Sequence, residues 1–146
     1  MKKQIIIDND GGTDDFVAIL YAFLSKKFDV KAISLVAGNT DVNNVKENVF
    51  KALEMAGVTP EEAEKIGIYL PERVNENIIS DGAQGDNGLG NVKYEPAVGY
   101  KINTNTAEDM LIDAVNKNPN AISIVATGPL TNIASVLDKD PEFAKK

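Results

Sequence analysis

Ile5-Ile6-Ile7-Asp8-Asn9-Asp10-Gly11-Gly12-Thr13-Asp14-Asp15-Phe16-Val17-Ala18-Ile19 is the stretch that decides the fold. A β-branched apolar run stops at Asp8. Asp8, Asp10, Asp14 and Asp15 then fall within eight positions, two glycines part the pairs, and an apolar pattern of helical period follows. This reads as a buried strand that delivers its acids to the end of a sheet, beside the start of a helix. In open α/β sheets, ligands bind beyond the carboxyl ends of the strands. Like charges at this density repel unless a cation sits among them, and hard carboxylate oxygens suit Ca²⁺ or Mg²⁺ rather than zinc. A solvated acidic turn is the plainer reading, with Asp14 and Asp15 favoured by the helix dipole. It leaves Asp8 and Asp10 at the strand end unexplained.

Working outward, strand and helix alternate. Gln4–Ile7 is the first strand, and Phe16, Ile19, Leu20, Phe23 and Leu24 recur at helical spacing over about Asp14–Ser25. Val30–Val36 is a second strand, ending in Ala37-Gly38-Asn39-Thr40. Asp41 caps a second helix whose apolar face is Val42, Val45, Val49, Ala52, Leu53 and Ala56, stopped by Gly57. Thr59-Pro60-Glu61-Glu62 joins a capping box to a proline at the first helical position, for a short helix to about Lys65. Ile66–Leu70 reads as a third strand. Pro71–Asn105 is polar, rich in Gly and Asn, and without period; a connection of that length is functional or mobile. Thr106 caps a helix carrying Ala107, Met110, Leu111, Ala114 and Val115. Ala121–Ala126 reads as a buried strand, and Thr127-Gly128-Pro129 turns into a helix bearing Leu130, Ile133, Ala134 and Leu137. Asp140-Pro141-Glu142-Phe143 has the form of another helix start. The expected fold is α/β: a single domain over 1–146, with an open, mostly parallel Rossmann-like sheet flanked by helices.

Composition narrows the chemistry. Among 146 residues, 15 are Lys or Arg and 22 are Asp or Glu, a net charge of −7 that disfavours nucleic acid and anionic membranes as partners. There is no cysteine, hence no disulfide and no zinc–thiolate site. There is no histidine, so acid–base chemistry falls to carboxylates, Lys or Tyr. No run is long and apolar enough for a signal peptide or a membrane span, and the expected compartment is the cytoplasm.

Three further motifs join the acidic turn: Gly38-Asn39 after the second strand, Gly85-Asp86-Asn87-Gly88-Leu89-Gly90 in the long loop, and Ala126-Thr127-Gly128-Pro129-Leu130-Thr131-Asn132-Ile133-Ala134 after the last strand. Their order and spacing resemble the inosine–uridine-type nucleoside hydrolases, the Ca²⁺-dependent N-ribohydrolases. The resemblance covers essentially the whole chain and matches the N-terminal half of that family. It implies Asp10 and Asp15 as Ca²⁺ ligands, with Asp10 also the base for the attacking water. It implies Asp14 and Asn39 as partners of the ribose hydroxyls, the Thr127 carbonyl as a metal ligand, and Asp8 as a supporting acid behind them. Ca²⁺ accepts several oxygen ligands, main-chain carbonyls included, and a water bound to it is more acidic. Read without the resemblance, Asn39 satisfies a turn, Thr127 caps a helix, Asn132 is structural, and Gly85–Gly90 is either a flexible turn or part of the site. The chain also departs from the family pattern: Gly11 stands where the family usually has proline in Asp-x-Asp-Pro-Gly, and Gln84, or Asp81 in the other register, where it often has histidine. Gly11 frees φ and is expected to loosen the turn that aims Asp10.

The family's distal half would add a metal-binding Asp, further ribose contacts and a leaving-group acid. The reading is therefore of a nucleoside hydrolase in family, acting on a small-molecule nucleoside, with impaired activity in these 146 residues. Two alternatives stand beside it. A haloacid-dehalogenase-type phosphatase also opens with a strand and Asp-x-Asp-Gly, here Asp8-Asn9-Asp10-Gly11. A non-catalytic fragment that binds metal or nucleoside is the other. An unpaired sheet edge at Ala121–Ala126 and the apolar stripe of the last helix lead to the expectation of a homo-oligomer.

Overall fold

The computed structural model describes residues 1–74 and 80–146. Five residues of the long polar connection, 75–79, lie outside the described part.

Four parallel strands make one sheet in the order β3-β2-β1-β4. They are β1 (Lys3–Asn9), β2 (Phe28–Leu35), β3 (Ile68–Tyr69) and β4 (Ile122–Ala126). Helices α1 (Thr13–Leu24), α2 (Val42–Met55), α3 (Pro60–Ile66), α4 (Ala107–Lys117) and α5 (Thr131–Lys139) flank it. The doubly covered parallel sheet that the alternating pattern implied is present.

Period-2 alternation in β1 divides the core. Ile5 and Ile7 pack with Ile19, Val45, Val49 and Leu53 on the side of α1, α2 and α3. Ile6 points the other way, to Leu111, Val115 and Val136 of α4 and α5. Fully burying a side chain such as Ile6 contributes about 2 kcal/mol. The alternation continues into the acids: register sets Asp8 opposite Ser34 of β2 and Ala126 of β4, so Asp8 faces the α5 side. Asn9 takes the opposite side, and its Nδ2 donates to the Ser34 carbonyl at 3.1 Å.

The helix starts are local and match the sequence. Asp41 accepts from the backbone N–H of Asn43 and Asn44 at 2.8 and 3.1 Å. Thr59 and Glu62 form a reciprocal capping box. Thr106 accepts from Asp109 N–H at 3.2 Å. At α1 the cap residue is Gly12, which has no side chain to offer; Asp15 Oδ2 accepts from Gly12 N–H at 3.0 Å and so makes only half of a box.

Three expectations are corrected. The third strand is two residues rather than Ile66–Leu70, because α3 runs through Ile66 and Gly67, at φ +86°, turns the chain before pairing with β2 begins. Ala121–Ala126 is not a buried strand: among the described residues β4 lies at the sheet edge, paired with β1 alone, Ile122 to Ile124 are half-buried, and Val125 and Ala126 are exposed. The segment after Asp140 forms a single 3₁₀ turn, Phe143–Lys145, rather than an α-helix; Phe143 is buried in the α4/α5 cluster. Among the described residues no helix is long and apolar enough to cross a membrane.

Candidate functional site

The sheet delivers its acids to one end. Asp10 sits just past β1, Asp15 in the first turn of α1, Asn39 in the β2–α2 connection and Thr127 just past β4. Asp10 and Asp15 are buried, at 6% and 1% exposure. Asn39 grips Asp10 twice: its backbone N–H donates to Oδ2 at 3.0 Å and its Nδ2 donates to Oδ1 at 2.9 Å. Asp15 Oδ1 accepts from the Thr127 hydroxyl. Thr127 N–H in turn donates to the Asp8 carbonyl at 2.9 Å, extending the β1–β4 ladder by one bond.

Electrostatics mark this pair. Burial pushes the Asp15 carboxyl up to about 7, and the adjoining Asp10 carboxylate adds to the rise; the bonds from Thr127 and Gly12 oppose it. Two carboxylates held together out of water are a site where positive charge is favoured. Glycines make the close packing possible. A Cβ on Gly38 would lie 2.2 Å from Asp10 Oδ2, and one on Gly128 would lie 2.9 Å from Asp10 Cβ.

Asp8 is not part of this pair. It is fully buried, and its Oδ1 accepts from Ser34 Oγ at 2.5 Å and Asn132 Nδ2 at 2.8 Å. Its Oδ2 and the Asn132 Oδ1 are buried without a partner among the described residues. Burial raises the Asp8 pKa against the pull of those two bonds. So enclosed a carboxylate does not present a nucleophile, which disfavours the phosphatase alternative. Asp14 stands at the exposed rim, and its Oδ1 and the Asn39 amide both approach the space over Gly12. Among the described residues no three His, Cys, Asp or Glu side chains gather into a metal-holding group; the acids brought together are the two of the Asp10–Asp15 pair.

The Gly-rich loop is tied to the acidic turn. Gln84 Oε1 accepts from Thr13 N–H at 3.2 Å, and Thr40 Oγ1 donates to the Asp86 carbonyl at 2.6 Å. Asn48 of α2, 2% exposed, donates from Nδ2 to the carbonyls of Gly11 at 2.8 Å and Asn87 at 2.7 Å. Asn48 belongs to none of the sequence motifs. Its signal was there: a polar residue on the arc of α2 that otherwise carries Val45, Val49 and Ala52. A cleft of about 460 Å³ opens beside Asn39, lined among others by Thr40, Gly82, Gly85 and Asp86.

Known proteins are similar to this chain in sequence and, where solved, in fold. Residues 5–146 match the family model described as inosine-uridine preferring nucleoside hydrolase. A probable uridine nucleosidase of Oryza sativa is 35% identical over 145 residues, which is 99% of this chain and 44% of the rice protein. A pyrimidine-specific ribonucleoside hydrolase of Citrobacter koseri is 33% identical, across 100% of this chain and 46% of its own length. A solved plant nucleoside hydrolase superposes with a TM-score of 0.86 at 37% identity, covering 100% of this chain and 46% of that one. A purine-preferring ribonucleoside hydrolase from Gardnerella vaginalis gives a TM-score of 0.80 at 29% identity. The chain thus spans less than half the length of these relatives. With sequence and fold in agreement over nearly every residue, the chain belongs to the inosine–uridine preferring nucleoside hydrolase family.

Proposed function

We propose that this chain carries the acidic half of an N-ribohydrolase site, in which Ca²⁺ is the metal and the reaction splits the N-glycosidic bond of a ribonucleoside into free base and ribose. The observation that carries the reading is the buried, adjoining Asp10–Asp15 pair at the carboxyl end of a parallel sheet. Its donor set fits a hard divalent cation: oxygen only, doubly negative when ionised, and costly to keep ionised without a counter-charge. Asp10, Asp15 and the main chain of Thr127 would hold the ion. When bound, Ca²⁺ supplies charge that makes a coordinated water more acidic and gives a ribose diol an anchor.

The chain's own groups do the rest. Asp10 takes the proton of the attacking water, and the two bonds from Asn39 keep its carboxylate aimed. Asp14, at the open rim, accepts from a ribose hydroxyl, and Asn39 stands beside it. The carboxylates together favour the positive charge that grows on the sugar as the base departs. Asp8 supports the strand end from behind, through Ser34 and Asn132.

Calorimetric titration with Ca²⁺ tests this. The chain should bind Ca²⁺, and Asp10→Ala and Asp15→Ala should each abolish binding; unchanged heats in both variants would remove the reading. Base release from uridine or inosine should be weak with these 146 residues, since the relatives whose names carry the activity are more than twice as long.

A further inference from the structure

We propose that Asn48 and Tyr94 are positioning residues that lock the Gly-rich loop onto the turn carrying Asp10, so that loop and turn order as one unit. This deepens the preceding reading and rests on it for the identity of the ligand.

Asn48 lies between two segments far apart in sequence. One of its amide hydrogens goes to the Gly11 carbonyl and the other to the Asn87 carbonyl, at 2.8 and 2.7 Å. The Tyr94 hydroxyl donates to its Oδ1. Both donors and the acceptor are therefore used, and the amide has a single orientation. Gly11 adjoins Asp10, so the Asn48–Gly11 bond sets the exit direction of the chain from the proposed base.

The loop side is built to match. Asn87 Oδ1 accepts from the N–H groups of Leu89 and Asn91, both at 2.9 Å, and Asn87 Nδ2 donates to the Val92 carbonyl at 2.9 Å. Asn91 Oδ1 accepts from Asp86 N–H at 2.8 Å. Residues 86–92 thus form a self-bonded unit that reaches the turn as a piece. Gly88, at φ +78°, seats that piece: a Cβ there would lie 3.0 Å from the Gly11 carbonyl oxygen and 3.2 Å from Asn48 Nδ2. Tyr94 closes the clamp from the far end of the loop.

A fully satisfied buried polar group of this kind is costly to break, because each bond lost leaves a buried partner unpaired. Asn48→Asp keeps the size but presents a carboxylate to two carbonyl oxygens. Tyr94→Phe keeps the ring and removes only the hydroxyl, and it serves should Asn48→Asp fail to fold.

Hydrogen exchange read by mass spectrometry, on the 146-residue chain without metal, is the test. In Tyr94→Phe, exchange should speed up several-fold both in the loop, residues 84–94, and in the turn, residues 10–13, with the melting temperature lowered by a few degrees for the unpaired Asn48 Oδ1. A parallel Ca²⁺ titration should show binding roughly tenfold weaker in the variant, the usual scale for groups that orient metal ligands. Faster exchange in the loop alone, with residues 10–13 unaltered, would overturn the proposal. If wild-type chain binds no Ca²⁺ yet loop and turn loosen together, the metal reading fails and the positioning assignment stands.

Discussion

At the scale of single residues, the site depends on small neighbours as much as on acids. Asp10 lies between Gly38 and Gly128, and neither position has room for a methyl group. Gly38→Ala should therefore destabilise the fold by about 1–3 kcal/mol, the usual cost of overpacking, and displace the Asn39 backbone from Asp10. Urea unfolding together with Ca²⁺ titration checks both; unchanged stability would show that the turn yields easily. Asp15 predicts a pH dependence. Its carboxyl is raised to about 7 in the folded chain, chiefly by burial and further by Asp10, against an unfolded value of 3.8. The folded state thus holds a proton that the unfolded state has lost. The associated stability is complete below about pH 4 and disappears as pH rises through about 7. Asp8 is shifted in the same direction. Metal-free chain should melt at lower temperature at pH 8 than at pH 5, and Asp15→Asn should flatten the difference. A rising or level profile in the wild type would contradict the buried pair.

At the scale of elements, the β1–α1 turn shows how far the sequence could be read. The strand, the acids and the helix start were visible in fifteen residues, because each is a local pattern. The caps Asp41, Thr59 and Thr106 were visible for the same reason. The expectation for Gly11 was that it would loosen the turn. The structure uses the glycine at φ +69°, with its N–H on Asn9 Oδ1 at 3.2 Å and its carbonyl on Asn48. The turn is pinned rather than slack, but by side chains 2 and 37 residues away, and the second of these cannot be heard in a local pattern. Gly11→Pro tests the point. Proline cannot adopt this φ and has no N–H to donate, so the substitution should cost more than about 1 kcal/mol; a stabilised variant would mean that the turn can take the family's alternative path. Likewise, β4 read as buried because Ile122-Ser123-Ile124-Val125-Ala126 is uncharged and mostly apolar, whereas burial depends on how many strands flank it.

At the scale of the whole molecule, that unflanked edge is the main liability. Val125 is 39% exposed, and Leu130 and Leu137 on the adjoining α5 are 60% and 38% exposed. The outer face of α1 adds Val17, Tyr21 and Leu24. β4 itself carries no charged residue, and open apolar edges of this kind pair with other chains. The 146-residue chain should therefore self-associate, and Val125→Lys should weaken that association. Sedimentation or light scattering at increasing concentration measures it, and a monomer throughout would count against the prediction. The long-range bonds in and behind the acid site have a further consequence, for the order of folding. Thr127 meets Asp15 across 112 residues, and Asn132 meets Asp8 across 124. Closing so long a stretch of chain is slow compared with forming helices or pairing β1 with β2. Asp10, Asp15 and Asn39 can meet once β1, α1 and β2 pack, but Thr127 joins them only when β4 docks, so a nascent chain emerging from the ribosome has the acids together before it has the residue that closes over them.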